Sequence, residues 1–220
     1  MANLTFYTNP QSRGRIARWM LEEVGEPYET VFLGYADSMK SAQYLAVNPM
    51  GKVPTVRHGD VVVTETAAIC AYLADAFPES DLAPPLDQRG AYYRWLFFGA
   101  GPIEMVMTHK GLGVETKEEQ ARMVGYGSVE VALETLAGAL ARSPYLTGDK
   151  FTAADVYVGA QVMWGLQFEL FPKRPEFTGY MERVCSRDAF SRAMALDDAA
   201  AKEAVSFVSS PTVKILDAST

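Results

Sequence analysis

A chain of 220 residues of which 49% are hydrophobic is long enough to build one large or two modest domains around a real core. Its formal net charge of −7 excludes a general nucleic-acid-binding surface, which needs a basic face, and no apolar run approaches the roughly 18 residues of a membrane-crossing helix. Cys70 and Cys185 stand far apart with no Cys-x-x-Cys, which excludes a disulfide framework and a zinc cluster, so no metal is expected.

Leu4 and Phe6 alternate with Thr5 and Tyr7, which predicts a strand over 3–7. That alternation stands where a signal peptide would need an apolar block, so a cytoplasmic location is expected. Over 12–24, Ile16, Met20 and Val24 fall beside Ala17 and Leu21 at helical spacing, with Gly25 as the stop. A second strand over 28–33, a short helix over 41–47, a hairpin over 53–63 turning at His58-Gly59-Asp60, and a helix over 66–77 complete a βαβ-type half. The proline-rich stretch 79–85 reads as a linker. Beyond it the chain reads helical to 205: one long helix over 89–109 kinked at Pro102, then a second over 118–141 weakened by Gly125 and Gly127. Thr152 followed by Asp155 reads as a capping box, and Phe151 with Val156 as a hydrophobic staple. The tail 206–220 has too little pattern to place.

The most informative stretch is Asn48-Pro49-Met50-Gly51-Lys52-Val53-Pro54-Thr55-Val56, followed after the hairpin by Glu65-Thr66. A proline cannot donate to a sheet ladder, so Pro54 belongs at the first residue of a strand, and an X-Pro bond there is a candidate for the cis form. Val53 would keep free backbone groups, with which an extended peptide can pair as an added strand. In this order the parts resemble the thioredoxin-like half of the cytosolic glutathione transferases, and the capping box and staple resemble those of that family's helical domain. The resemblance implies an α/β thioredoxin-like domain over 1–78 and an all-α domain over 86–205.

It also implies a chemistry. Glutathione, the co-substrate, must present a thiolate, yet an ordinary thiol titrates near pH 8.5. Lowering this by about two units takes roughly 2.7 kcal/mol. A hydroxyl donating to a charged acceptor contributes about 1.5 to 3 kcal/mol, and a helix amino terminus about 0.3 to 1. Ser12, which opens the first helix, meets the requirement. Serine is also a favoured N-cap, but Pro10-Gln11-Ser12 is similar to the serine-type, bacterial-style members of the family. Tyr7 is a competing donor and Asn9 a third. Carried over from the resemblance, Val53 beside Pro54 pairs with the cysteinyl part, Glu65 meets the γ-glutamyl ammonium, Thr66 meets its carboxylate, and Lys52 and Lys40 meet the glycyl carboxylate.

The expected partner is a small hydrophobic electrophile between the halves, with Met105, Met107, Trp164 and Phe168 as candidate walls. His109-Lys110 is a looser candidate. The family implies a homodimer and a role in detoxification. Two other readings are a glutathione-dependent isomerase or dehalogenase and a non-catalytic glutathione-binding module.

Overall fold

The computed structural model describes residues 3–209; the expected tail lies outside the described residues from 210 onward. Strand β1 (Leu4–Thr8) buries Leu4, Phe6 and Thr8 and leaves Thr5 and Tyr7 half-buried, the period-2 division of a strand between two layers. It pairs in parallel with β2 (Tyr28–Phe32) and antiparallel with β3 (Thr55–His58), which pairs with β4 (Val61–Val63), giving the order β2-β1-β3-β4. Phe6 faces Thr30 on one side and Val56 on the other.

The Leu4, Phe6 and Val56 face carries α1 (Gly14–Val24) and α3 (Thr66–Ala76). The opposite face holds a smaller cluster of Leu33, Met39 and Tyr44, with α2 (Ala42–Leu45) supplying Tyr44 and with Tyr7, Val31 and Val53 packed against it. Gly25 ends α1 in the left-handed conformation at φ 79°, as a helix stop requires. The helix itself begins at Gly14, two residues later than its sequence pattern suggests, because residues 9–12 form their own turn.

The helical half comprises α4 (Gly90–Phe98), α5 (Glu104–Leu112), α6 (Val129–Leu140), α7 (Ala153–Gln167), α8 (Pro175–Cys185) and α9 (Asp188–Ser209). Helix α7 is buried nearly all round and packs against α1, α3, α4 and α8, so one core runs through both halves. Trp19 of α1 packs on Phe151 and, edge to face at 5.0 Å, on Phe190 of α9. The stretch between the halves is sewn to this core: Leu82 is buried, and its carbonyl accepts the Ala153 amide at 2.8 Å.

Two expected helices are interrupted. Pro102 does not merely bend the 89–109 helix; Gly99–Ile103 widens into a π turn, and the Glu104 amide reaches back to the Gly99 carbonyl. A proline lacks the amide its turn needs, and a π bulge absorbs the loss. Gly99 is required there by close approach to α7, since an added Cβ would stand 2.9 Å from both Gln161 Oε1 and Val158 Cγ2. The 118–141 helix starts only at Val129, after Gly127 at φ 65° and a new cap in which Ser128 Oγ accepts the Val131 amide.

The Thr152–Asp155 cap is present and fully buried. Asp155 accepts from the amides of Leu146 and Thr152, from the Thr152 hydroxyl and from Tyr180 OH, all within 3.1 Å. Burial nevertheless pushes its carboxyl up to about 6 against these four donors. Helix α9 lies along α1, and the two exchange ion pairs. Arg18 meets Asp197 at 2.8 Å with both side chains buried, and Arg187, just before α9, takes both oxygens of Glu23 at 2.7 Å. A buried charge is tolerated only when paired, so this seating is specific in register.

Candidate functional site

The loop entering β3 is built by side chains beneath it. Asn48 Nδ2 and Tyr44 OH both donate to the Lys52 carbonyl, at 2.8 and 2.6 Å, and Asn48 Oδ1 accepts the Met50 amide. Lys40 Nζ donates to the Gly51 carbonyl at 2.8 Å, so this lysine fastens the loop as well as facing the cleft. The Val53–Pro54 bond is cis. The sheet ladder begins at Thr55 opposite Tyr7, which leaves Val53 two residues outside it.

Across from this loop stands the start of α3. Glu65 occupies its N-cap position with φ 63° and ψ 115°. This is a backbone state that costs a non-glycine residue about 1 to 3 kcal/mol and that concentrates at functional sites. Thr66 opens the helix, whose unpaired amides make its amino terminus an anion-binding position.

The third component is the turn after β1. Ser12 Oγ donates to the Asn9 carbonyl at 2.7 Å and accepts the Gly14 amide at 2.9 Å, so it is an acceptor inside the turn and a donor to a neutral carbonyl. Ser12, Lys40, Lys52, Val53, Pro54, Glu65 and Thr66 together line one cleft of about 670 Å³ between the halves. Its opposite wall is Ala100, Glu104, Thr108 and Tyr157. Tyr157 is nearly buried, which raises its phenol further and keeps it a neutral donor.

Tyr7 and Asn9 are not among the residues lining this cleft. Strand alternation turns Tyr7 to the face that carries α2, away from α1 and α3, where its ring lies 5.5 Å from that of Tyr44 and packs in the cluster of Met39 and Val53. Asn9 commits its side-chain amide elsewhere, donating to the Leu33 carbonyl after β2 at 2.8 Å and accepting the Gln11 amide within its own turn at 2.9 Å. Of the three donor candidates, Ser12 is the one among the residues that line this cleft. Of the candidate walls, Met107 is buried in the core and Met105 packs against it. Trp164 and Phe168 instead line a second cleft of about 610 Å³ with Phe190 and Met194. The two clefts share Gln11, Ser12 and Arg13, which form the ridge between them. His109 lines neither and pairs with Tyr126 OH at 2.9 Å.

One site feature has no local signature. Arg13 of the ridge pairs with Glu104 at the start of α5, and Gln161 Nε2 donates to the second oxygen of Glu104 at 3.2 Å and to the Gly99 carbonyl at 3.0 Å. The π turn thus aims Glu104 into the cleft. Arg13 and Glu104 lie 91 positions apart, so only their charges were visible in the sequence. Among the described residues no cluster of His, Cys, Asp and Glu could hold a metal ion, and no helix is long and apolar enough to cross a membrane.

Residues 2–75 match the family described as glutathione S-transferase, N-terminal domain, and residues 90–188 match glutathione S-transferase, C-terminal domain. The chain is similar to glutathione S-transferase GstA of Escherichia coli O157:H7, with 30% identity over 162 residues covering 70% of this chain and 78% of that one. It is similar also to glutathione S-transferase theta-2B of Homo sapiens, with 29% identity over 158 residues covering 66% of this chain; the match spans 64% of that relative's length. Among solved structures, the theta class glutathione S-transferase of Xanthomonas axonopodis pv. citri with glutathione bound superposes with a TM-score of 0.69 at 28% identity, covering 88% of this chain and 98% of that one.

Proposed function

Because the chain belongs to the glutathione S-transferase family, we propose that it joins the thiolate of glutathione to an electrophilic small molecule. The thiol gives up its proton to solvent water, the sulfur lone pair attacks an electrophilic carbon, and a C–S bond forms as a leaving group departs with its bonding pair or a π pair shifts onto the adjoining atom. The observation that carries this reading is the convergence, in one cleft, of the Ser12 hydroxyl, the main chain at Val53 and the amino terminus of α3.

In this reading Val53 and Pro54 present the edge along which the cysteinyl backbone lies. Glu65 meets the γ-glutamyl ammonium, and Thr66 with the first amides of α3 meets its carboxylate. Lys52 is exposed on the cleft wall and meets the glycyl carboxylate, and Lys40 helps by the same charge while holding the loop. The Ser12 proton leaves the Asn9 carbonyl and turns to the thiolate. The Gly14 amide meanwhile donates to Ser12 Oγ, which polarises the hydroxyl as a donor. Neither Tyr7 nor Asn9 is needed. The electrophile enters from the second cleft, whose Trp164, Phe168, Phe190 and Met194 suit an apolar body of limited size.

The two domains act as units over 1–78 and 86–205, in a cytoplasmic protein that removes reactive electrophiles. It works as a homodimer. Edge strand β4 exposes Val61 and Val62, and α4 exposes Tyr93 and Phe97 one turn apart, apolar surface that a second copy would cover. Sedimentation equilibrium tests the dimer, and Phe97→Glu should shift it toward monomer.

Calorimetry with reduced glutathione tests binding, and stoichiometric loss of glutathione against a panel of electrophiles tests the reaction. Turnover that leaves glutathione undiminished would mean the thiol adds and is released, as in an isomerase or dehalogenase. Binding without turnover across the panel would mean a binding module.

A further inference from the structure

The turn that carries Ser12 is held from outside by Arg15, a residue of α1 that lines only the second cleft. Its guanidinium makes a three-way connection. Arg15 Nε donates to the Pro10 carbonyl at 2.7 Å, Nη2 donates to Asp198 Oδ1 of α9 at 2.7 Å, and Nη1 lies 3.8 Å from the Met194 sulfur, also on α9. Two successive carbonyls of one turn are thereby engaged, that of Asn9 by Ser12 and that of Pro10 by Arg15. A peptide unit is planar, so fixing the Pro10 carbonyl fixes the plane leading into Gln11 and hence the path by which Ser12 arrives over Asn9. The guanidinium suits this task because its donors are held in a rigid plane, which a lysine could not reproduce. Its side chain is 20% exposed against 58% for Asp198, so the arginine is the sheltered hub and the aspartate the outer anchor.

We propose that Arg15 is a positioning residue for the thiolate donor, coupling the seating of α9 on α1 to the orientation of the Ser12 hydroxyl. The inference rests on the transferase reading and adds to it a residue that touches neither glutathione nor the sulfur. It also gives the second cleft a means of speaking to the first. Pro10, Arg15, Met194 and Asp198 all line the second cleft, so an occupant that shifts α9 there acts on the same turn. Coupling of this kind requires a physical connection between two sites, and the Asp198–Arg15–Pro10 chain of contacts is one.

The test follows the ultraviolet absorbance of the bound glutathione thiolate against pH in the full-length protein. Arg15→Met keeps the apolar stem and removes the fork. Its expected effect is a rise of about half to one unit in the bound-thiol midpoint, which is about three- to tenfold less thiolate on the acid side. Glutathione affinity well below the midpoint, where the thiol is protonated in both proteins, should not change. Asp198→Asn, on an exposed position, should move the midpoint the same way by less, and it decides the matter if Arg15→Met folds poorly. The decisive arm is the double variant Ser12→Ala with Arg15→Met, since a residue that works through Ser12 has nothing left to position and its effect should vanish. A shift that persists at full size in the Ser12→Ala background would mean that Arg15 acts on the sulfur directly and would overturn the proposal. Normal wild-type thiolate with both Arg15→Met and Asp198→Asn unmoved would overturn it while leaving the transferase reading intact. Absence of any thiolate signal in the wild type would sink both.

Discussion

Replacing Ser12 by alanine isolates the term on which the proposed chemistry turns. The Ser12 hydroxyl donates to the Asn9 carbonyl at 2.7 Å. With a neutral thiol bound it can stay there, and only the thiolate draws it away. The hydroxyl's effect on the thiol is therefore the difference between two hydrogen bonds, not the whole value of one. A bond to a neutral acceptor is worth about 0.5 to 1.5 kcal/mol net and one to a charged acceptor about 1.5 to 3. The difference of about 1 to 1.5 kcal/mol corresponds to about one pKa unit. Ser12→Ala should thus raise the bound-thiol midpoint by about one unit, while the rest of the depression survives through the first-turn amides of α1. Thiolate absorbance from pH 5 to 9 measures this directly, with Ser12→Thr expected to keep most of the effect. The variant also strips the Gly14 amide and the Asn9 carbonyl of a partner, so a stability loss of about 1 kcal/mol is expected beside it. An unmoved midpoint, or an equal shift in Tyr7→Phe, would refute the reasoning.

Glu65→Gln keeps the shape but not the charge that would meet an ammonium group, and glutathione affinity by calorimetry should fall by about five- to twelvefold, the value of exchanging a charged for a neutral hydrogen bond. Gly99→Ala forces a Cβ to 2.9 Å from Gln161 Oε1 and Val158 Cγ2 and should cost about 1 to 3 kcal/mol in urea unfolding. Asp155 has its carboxyl raised by burial from 3.8 to about 6, so between these values the folded protein holds a proton that the unfolded chain releases. Its contribution to stability is then greatest below about pH 4 and declines through pH 6, by up to roughly 3 kcal/mol. Urea midpoints of wild type relative to Asp155→Asn should fall as pH rises through that window, and the opposite slope would mean that the four donors outweigh burial.

Much of the architecture was legible from residues near one another in the chain. Period-2 alternation at Leu4 and Phe6, helical spacing from Ile16 to Val24, the glycine at 25 and the Thr152–Asp155 cap are local devices, and each appears where its pattern stands. The segment from Asn48 to Thr66 was legible for the same reason, because a loop, a cis proline and a helix start are written in consecutive residues. The 118–128 stretch departs from its helical pattern because helix propensity is weak against a glycine at φ 65° followed by a serine cap. The π turn at Pro102 depends on α7 lying against Gly99, which no local pattern announces.

What the sequence by itself determined, then, is the set of elements and the short runs that grip a main chain, since these follow from backbone preferences over a few residues. What only the tertiary structure decided is which side chains meet. It set the Tyr7 ring against Tyr44, brought Glu104 to Arg13, and tied Asp198 to Arg15 across 183 positions. Such pairings arise from packing helices against a twisted sheet, where distance along the chain carries no information about distance in space.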